Sequence, residues 1–201
     1  MRGWIGRDGT VAPMIRAATT DDAPRMAEIY RPFVEGDSTS FETTPPDAAE
    51  MARRLERTTA THPWIVLVDD DTGAVVAYAY AIPFRTRAAY RWCVETSVYV
   101  DREHARRGHG RRLMTVLLEL LDELGYHEAV AGVTLPNPPS VSLHEALGFV
   151  EVGSFPRSGW KLGRWHDVGF WSRSIRHGDP DDEPVAWPSH AASGGDPIDA
   201  D

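Results

Sequence analysis

Cysteine is almost absent from this chain: Cys93 is the only one in 201 residues. An intrachain disulfide and a four-cysteine zinc site are excluded, and a reduced, cytoplasmic setting is expected. No apolar run approaches the roughly 20 residues of a membrane-spanning helix. The N-terminal MRGWIGRDGTVAP lacks the apolar core of a secretory signal. No membrane partner is therefore expected. An excess of positive charge is missing too. A formal net charge of −9 argues against bulk nucleic-acid binding, which needs a cationic surface. There is no G-x-S-x-G elbow, no H-E-x-x-H pair and no Walker A lysine. Those absences remove serine-hydrolase, zinc-protease and P-loop chemistry, and no metal site is expected.

What is present reads as one ordinary globular domain with a sizeable core. Its charge is unevenly placed. Residues 176–201 hold seven acids against Arg176 alone, together with four prolines and no periodic apolar pattern. This segment is expected to be a disordered acidic tail. Residues 1–13 also lack periodicity and are expected to be an extension. The domain itself is placed at residues 14–175.

Within it, apolar runs and periodicity predict strands at 14–18, 64–68, 74–82, 92–100, 129–135, 150–155 and 167–175. Helices are predicted after the Thr19–Asp22 caps up to Gly36, at about 46–57, at 108–124, and from Pro138 or Pro139 to Gly148. The order β-α-α-β-β-β-α-β-α-β-β describes a mixed α/β domain.

The stretch VETSVYVDREHARRGHGRRLMTVLLELLDEL, from Val94 to Leu124, carries the most chemistry. Arg106, Arg107, Gly108, His109, Gly110, Arg111 and Arg112 form a basic, glycine-containing loop where a helix begins. Bare amides and guanidinium groups suit an anion such as phosphate; the bland alternative is a solvated basic helix start. Glu95 is the one acid in an otherwise apolar strand. It is either paired with an arginine or poised as a general base whose pKa burial would raise. Arg85 and Arg87, with Phe84 and Tyr90 nearby, could hold an anionic substrate or merely edge a hairpin. Asn137 could bind a ligand or cap a helix, and Ser140 and His144 follow on that helix. His166 and Asp167 are read as structural. Cys93 is disfavoured as a nucleophile.

Together these segments resemble the GNAT acetyltransferase superfamily, and more closely its phosphinothricin N-acetyltransferase-like branch. The resemblance runs from about Ile15 to Trp171. It rests chiefly on VETSVYV (94–100), LPNPPSVSLHEALGF (135–149) and GRWHDVGFW (163–171), with RRGHGR (106–111) and PFRTRAAY (83–90) in agreement. It implies the GNAT fold, a mixed and mostly antiparallel central sheet flanked by helices. It implies acetyl-CoA as co-substrate and a small α-amino acid or analogue as acceptor. Val98, Tyr99 and Val100 would bind the pantetheine, and Arg106, Arg107, Gly108, His109, Gly110 and Arg111 the pyrophosphate. Asn137 and Ser140 would contact the cofactor.

Glu95 falls where the family places its base, and Phe41, Arg85, Arg87 and Tyr90 where it places acceptor-binding residues. A homodimer is implied, with residues 163–171 toward the shared side. The sequence departs from the family pattern twice. Ala105 stands at the loop's first position, usually Gln or Arg, and no tyrosine follows Tyr126 to protonate the leaving thiolate. Either His144 takes that role or the thiolate leaves unassisted. Alternative readings are a non-catalytic acyl-CoA-binding module, or acetylation of a protein N-terminus or a polyamine.

Overall fold

The computed structural model describes residues 14–187; the expected extension at 1–13 and residues 188–201 of the expected tail lie outside the described residues. Seven strands form one sheet in the order β1-β2-β3-β4-β5-β7-β6. They are β1 (Met14–Ala17), β2 (Trp64–Val68), β3 (Val75–Pro83), β4 (Cys93–Val100), β5 (Glu128–Leu135), β6 (Val150–Lys161) and β7 (Arg164–Ser174). The helices are α1 (Ala23–Glu35), α2 (Ala48–Thr59), α3 (His109–Glu123) and α4 (Pro138–Ala146). This is the expected element order, and every strand pairing is antiparallel except β4 with β5.

Local chemistry sets the helix starts. Asp47 accepts the Glu50 amide at 2.8 Å and caps α2. Asn137 does the same for α4 through the Ser140 amide at 3.2 Å, with Pro138 in the first turn, where a missing amide costs nothing. Gly108, at φ +82°, turns the chain into α3 through a left-handed conformation that penalises other residues.

The sheet is buried on both faces, which is why β2 reads as the unbroken apolar run WIVLV. On one face α3 contributes Leu113, Met114, Leu117 and Leu121 against Ile65, Leu67, Ala77, Ala79 and Val94. On the other, Met26, Ile29 and Tyr30 of α1 and Met51 and Leu55 of α2 cover Val66 and Tyr78.

Two expectations are corrected. β6 does not stop at Phe155 but continues to Lys161. A bulge between Phe155 and Gly159, with Arg157 at φ +52°, breaks the two-residue alternation by which a strand is recognised. The tail is not disordered from residue 176. Val185 donates its amide to the Leu124 carbonyl at 2.8 Å, and Trp187 donates to Thr61 at 3.1 Å. The Trp92 indole donates to Asp182 at 2.9 Å, Arg91 pairs with Glu183, and Trp187 is buried in the α3-side core. One tryptophan buries enough apolar surface to dock a strap whose acids and prolines mask the signal.

Candidate active site

β4 and β5 part company midway. They pair only through Cys93↔Glu128, Val94↔Ala129 and Glu95↔Val130, although both strands run on to Val100 and Leu135. The Thr96 hydroxyl reaches the Val130 carbonyl at 3.3 Å, and beyond it the two strands have no pairing. β5 keeps its partner β7 along its whole length, and β4 keeps β3. A wedge therefore opens in the middle of the sheet, and the β4 edge from Val98 to Val100 faces it with backbone groups that no strand satisfies.

The basic loop stands at the mouth of this wedge. The first hydrogen bond of α3 runs from the Arg112 amide to Gly108 at 3.0 Å, so the amides of His109, Gly110 and Arg111 have no acceptor within the helix. A Cβ on Gly110 would stand 3.5 Å from Val100 and 3.6 Å from Leu143; β4, the loop and α4 thus converge on a residue with no side chain. Arg106, Arg107 and Arg111 are exposed and form no ion pair with an acid among the described residues. Burial and the cations around it lower the pKa of His109, so it adds a neutral imidazole. Unpaired helix amides and guanidiniums without acid partners among the described residues suit an extended ligand bearing a pyrophosphate.

At the inner end of the wedge lies Glu95. It is half-buried, and burial raises its carboxyl above the ordinary carboxylate value while the charge of Arg85 opposes the rise. Among the described residues it forms no hydrogen bond or ion pair, and the one charge acting on it is that of Arg85. Its Oε1 lies over Gly132 of β5, next to Phe170 of β7. Ile82 stands opposite it on β3. Sequence reasoning passed over Gly132 and Phe170; an isolated glycine inside a strand was the available signal.

Of the expected acceptor residues, Arg85 is the one whose charge acts on Glu95. Arg85 is exposed, stacked 4.2 Å over the Phe84 ring, and donates to the Phe84 carbonyl at 2.9 Å. Tyr90 meets Phe84 edge-on at 5.9 Å. Arg87 is exposed, without a side-chain partner among the described residues. A cleft of about 380 Å³, walled by Tyr90, Cys93, Glu128 and His177, opens beside the start of β4. The Cys93 thiol is pushed up to about 11, first by burial, which suits a packed thiol and not a nucleophile.

Asn137 uses its side-chain oxygen for the helix cap, leaving its amide nitrogen for a ligand. Ser140 places its hydroxyl 3.4 Å from His144 Nδ1. His144 is buried, and Nδ1 donates to the Ser140 carbonyl at 2.8 Å; the opposite Nε2 is buried without a partner among the described residues. Burial lowers its pKa, so the imidazole is neutral.

A seven-stranded mixed sheet split between its fourth and fifth strands, an amide-rich basic loop in the split and a lone carboxylate at its base define an acyltransferase of the GNAT type. The model of the acetyltransferase (GNAT) domain family matches residues 15–169, and the chain belongs to that family. Among its relatives, the phosphinothricin N-acetyltransferase of Streptomyces viridochromogenes is 43% identical over 161 residues, covering 80% of this chain and 87% of that one. The L-methionine sulfoximine/L-methionine sulfone acetyltransferase of Salmonella typhimurium is 38% identical over 117 residues, covering 58% and 68%. A solved phosphinothricin acetyltransferase from Sinorhizobium meliloti, in complex with acetyl-CoA, superposes with a TM-score of 0.81 at 37% identity, covering 88% of this chain and 96% of that one.

Proposed function

We propose that this enzyme transfers acetyl from acetyl-CoA to the α-amino group of a small amino acid or analogue of the phosphinothricin or methionine sulfoximine type. The observation that carries the proposal is Glu95: a half-buried carboxylate with a raised pKa and no partner among the described residues, set at the base of the wedge beside the Arg85 charge.

Bound acetyl-CoA supplies an activated thioester. The free β4 edge at Val98, Tyr99 and Val100 holds its extended arm, and the Arg106–Arg111 loop its pyrophosphate. Arg85 and Arg87 hold the acceptor's anionic groups, with Tyr90 and Phe41 shaping the space around it. An α-amine is mostly protonated at neutral pH; Glu95 takes that proton, directly or through one water, and frees the lone pair. The Val98 amide donates to the oxygen that gains charge as the amine attacks. His144, held neutral by burial, is a poor proton donor; coenzyme A leaves as a thiolate, a good leaving group because a thiol has a pKa of about 8.5, and it takes up the second proton that the acetylated nitrogen sheds.

A homodimer belongs to the same reading. Val150, Val152 and Phe155 on edge strand β6, with Trp160, Leu162 and Trp165 at the β6–β7 turn, are all exposed. The free thiol of Cys93 fits a reduced, cytoplasmic setting. Incubation with acetyl-CoA and a panel of amino acids, phosphinothricin and methionine sulfoximine, followed by thiol release, tests the activity. Acetyl-CoA binding with no release on any acceptor would support a non-catalytic module instead.

A further inference from the structure

Lys161 is the only lysine in the chain; the other basic side chains of its Lys and Arg total are arginines. It is 7% exposed, at the end of β6. Its ammonium donates to the Ser40 carbonyl at 2.6 Å and more weakly to Phe33 at 3.5 Å. No carboxylate among the described residues lies within ion-pair distance. Burial lowers its pKa, opposed by the charges of Asp37 and Glu42. An ammonium desolvated against carbonyls alone is costly, so what it secures matters.

It secures the loop between α1 and α2. The same loop is held from the other side: Tyr30 bonds the Ser40 hydroxyl at 2.6 Å, and Arg54 grips Glu42 through two bonds at 2.6 and 3.0 Å. Phe41 lies between these anchors, and its ring rests on the backbone of β6. A Cβ on Gly159 would sit 2.3 Å from the ring. Gly159 pairs with His166, whose Nε2 donates to the Lys161 carbonyl at 3.0 Å and whose ring lies 6.2 Å from that of Phe41. His166, Val168 and Phe170 alternate onto one face of β7, and Phe170 borders Gly132 beneath Glu95. Phe41 and Glu95 thus stand at opposite ends of one row.

We propose that Lys161 and Gly159 are positioning residues that set acceptor specificity. Lys161 fixes the Ser40 carbonyl, and Gly159 sets how deep the Phe41 ring lies, and so how bulky an acceptor side chain the site admits. This rests on the reading of Phe41 as an acceptor-binding residue.

Four variants test it: Gly159→Ala, Lys161→Met, Lys161→Gln and Phe41→Ala. The ring of Phe41 is partly exposed, so Gly159→Ala lifts it without disturbing the core. That variant should raise acceptor KM by about tenfold and shift preference toward smaller side chains. KM for acetyl-CoA and kcat should stay within about twofold, with Tm nearly constant. Lys161→Met should show the same KM split, and Lys161→Gln, which keeps a donor, should recover part of it. Phe41→Ala should open the site to bulkier acceptors. If Phe41→Ala leaves every acceptor parameter unchanged, the acceptor reading of Phe41 fails. If Phe41→Ala acts but Gly159→Ala and Lys161→Met do not, or if they lower kcat, both affinities and Tm together, the positioning role is overturned.

Discussion

The carboxylate of Glu95 and the backbone of Gly132 share one space: Oε1 lies 3.5 Å from where a Cβ on Gly132 would stand, and the Phe170 ring is equally near. An alanine would touch both neighbours in ordinary contact, whereas the branched methyls of valine would press on them. Gly132→Val should displace the carboxylate and lower turnover by about 10²-fold, as small misplacements of reacting groups do. Gly132→Ala should keep most activity. Steady-state assays on the two variants make the comparison.

Glu95→Gln should reduce kcat by about 10²–10⁴-fold while acetyl-CoA binding, read by calorimetry, persists. In the parent enzyme the rate should fall on acidification through the raised Glu95 pKa, because the protonated acid cannot accept a proton. The variant should lose that limb and keep only the one set by the acceptor amine.

The same shift has a stability consequence of opposite sign. A carboxyl whose folded pKa is raised favours folding below its unfolded pKa and loses that contribution as pH rises through the folded value. Ionised Glu95 therefore destabilises the fold at neutral pH. Glu95→Gln should raise Tm at pH 7 to 8, and the difference should vanish below about pH 4, near the ordinary carboxylate pKa. Thermal melts across pH decide it.

Asp22 shows the usual carboxylate case. Burial would raise its pKa, but two 2.7 Å bonds from Arg16 and the Thr19 amide at 2.8 Å outweigh that and lower it. Its contribution is present above the unfolded pKa and is lost as pH falls through the folded one. Asp22→Asn should cost about 1–3 kcal/mol at pH 7 by stranding Arg16, and less at about pH 3, below the ordinary carboxylate value. Urea titrations at both pH values measure this.

Trp187 joins the strap to the core. Trp187→Ala should destabilise by about 3 kcal/mol, as for other large-to-small core changes, with both KM values little changed. An unaltered Tm would mean the strap contributes nothing to stability.

Much of the fold could be read in advance because its signals are local. The apolar spacing of Leu113, Leu117 and Leu121 marked α3, and WIVLV marked β2. Glu95 and the arginine loop stood out for the same reason: charge in an apolar strand, and glycines before a helix. The rest depends on distant partners. No pattern within β4 tells where β5 will leave it, because β5 keeps β7, a strand distant in sequence, as its partner along its whole length. The burial of Lys161 is set by two carbonyls more than a hundred residues away in sequence. Trp187 is a lone aromatic among prolines and acids, and only its neighbours in space make it core.

The parting of β4 and β5 also gives the donor a thermodynamic part in the fold. Strand edges between Thr96 and Val100 are left to water until something extended occupies the gap. A ligand that binds only the folded chain shifts the folding equilibrium by mass action, by about 2.7 kcal/mol at a hundredfold excess over Kd. The acyl donor would then act as the sheet's missing strand, and the enzyme's resistance to heat and proteolysis should follow the concentration of its own co-substrate.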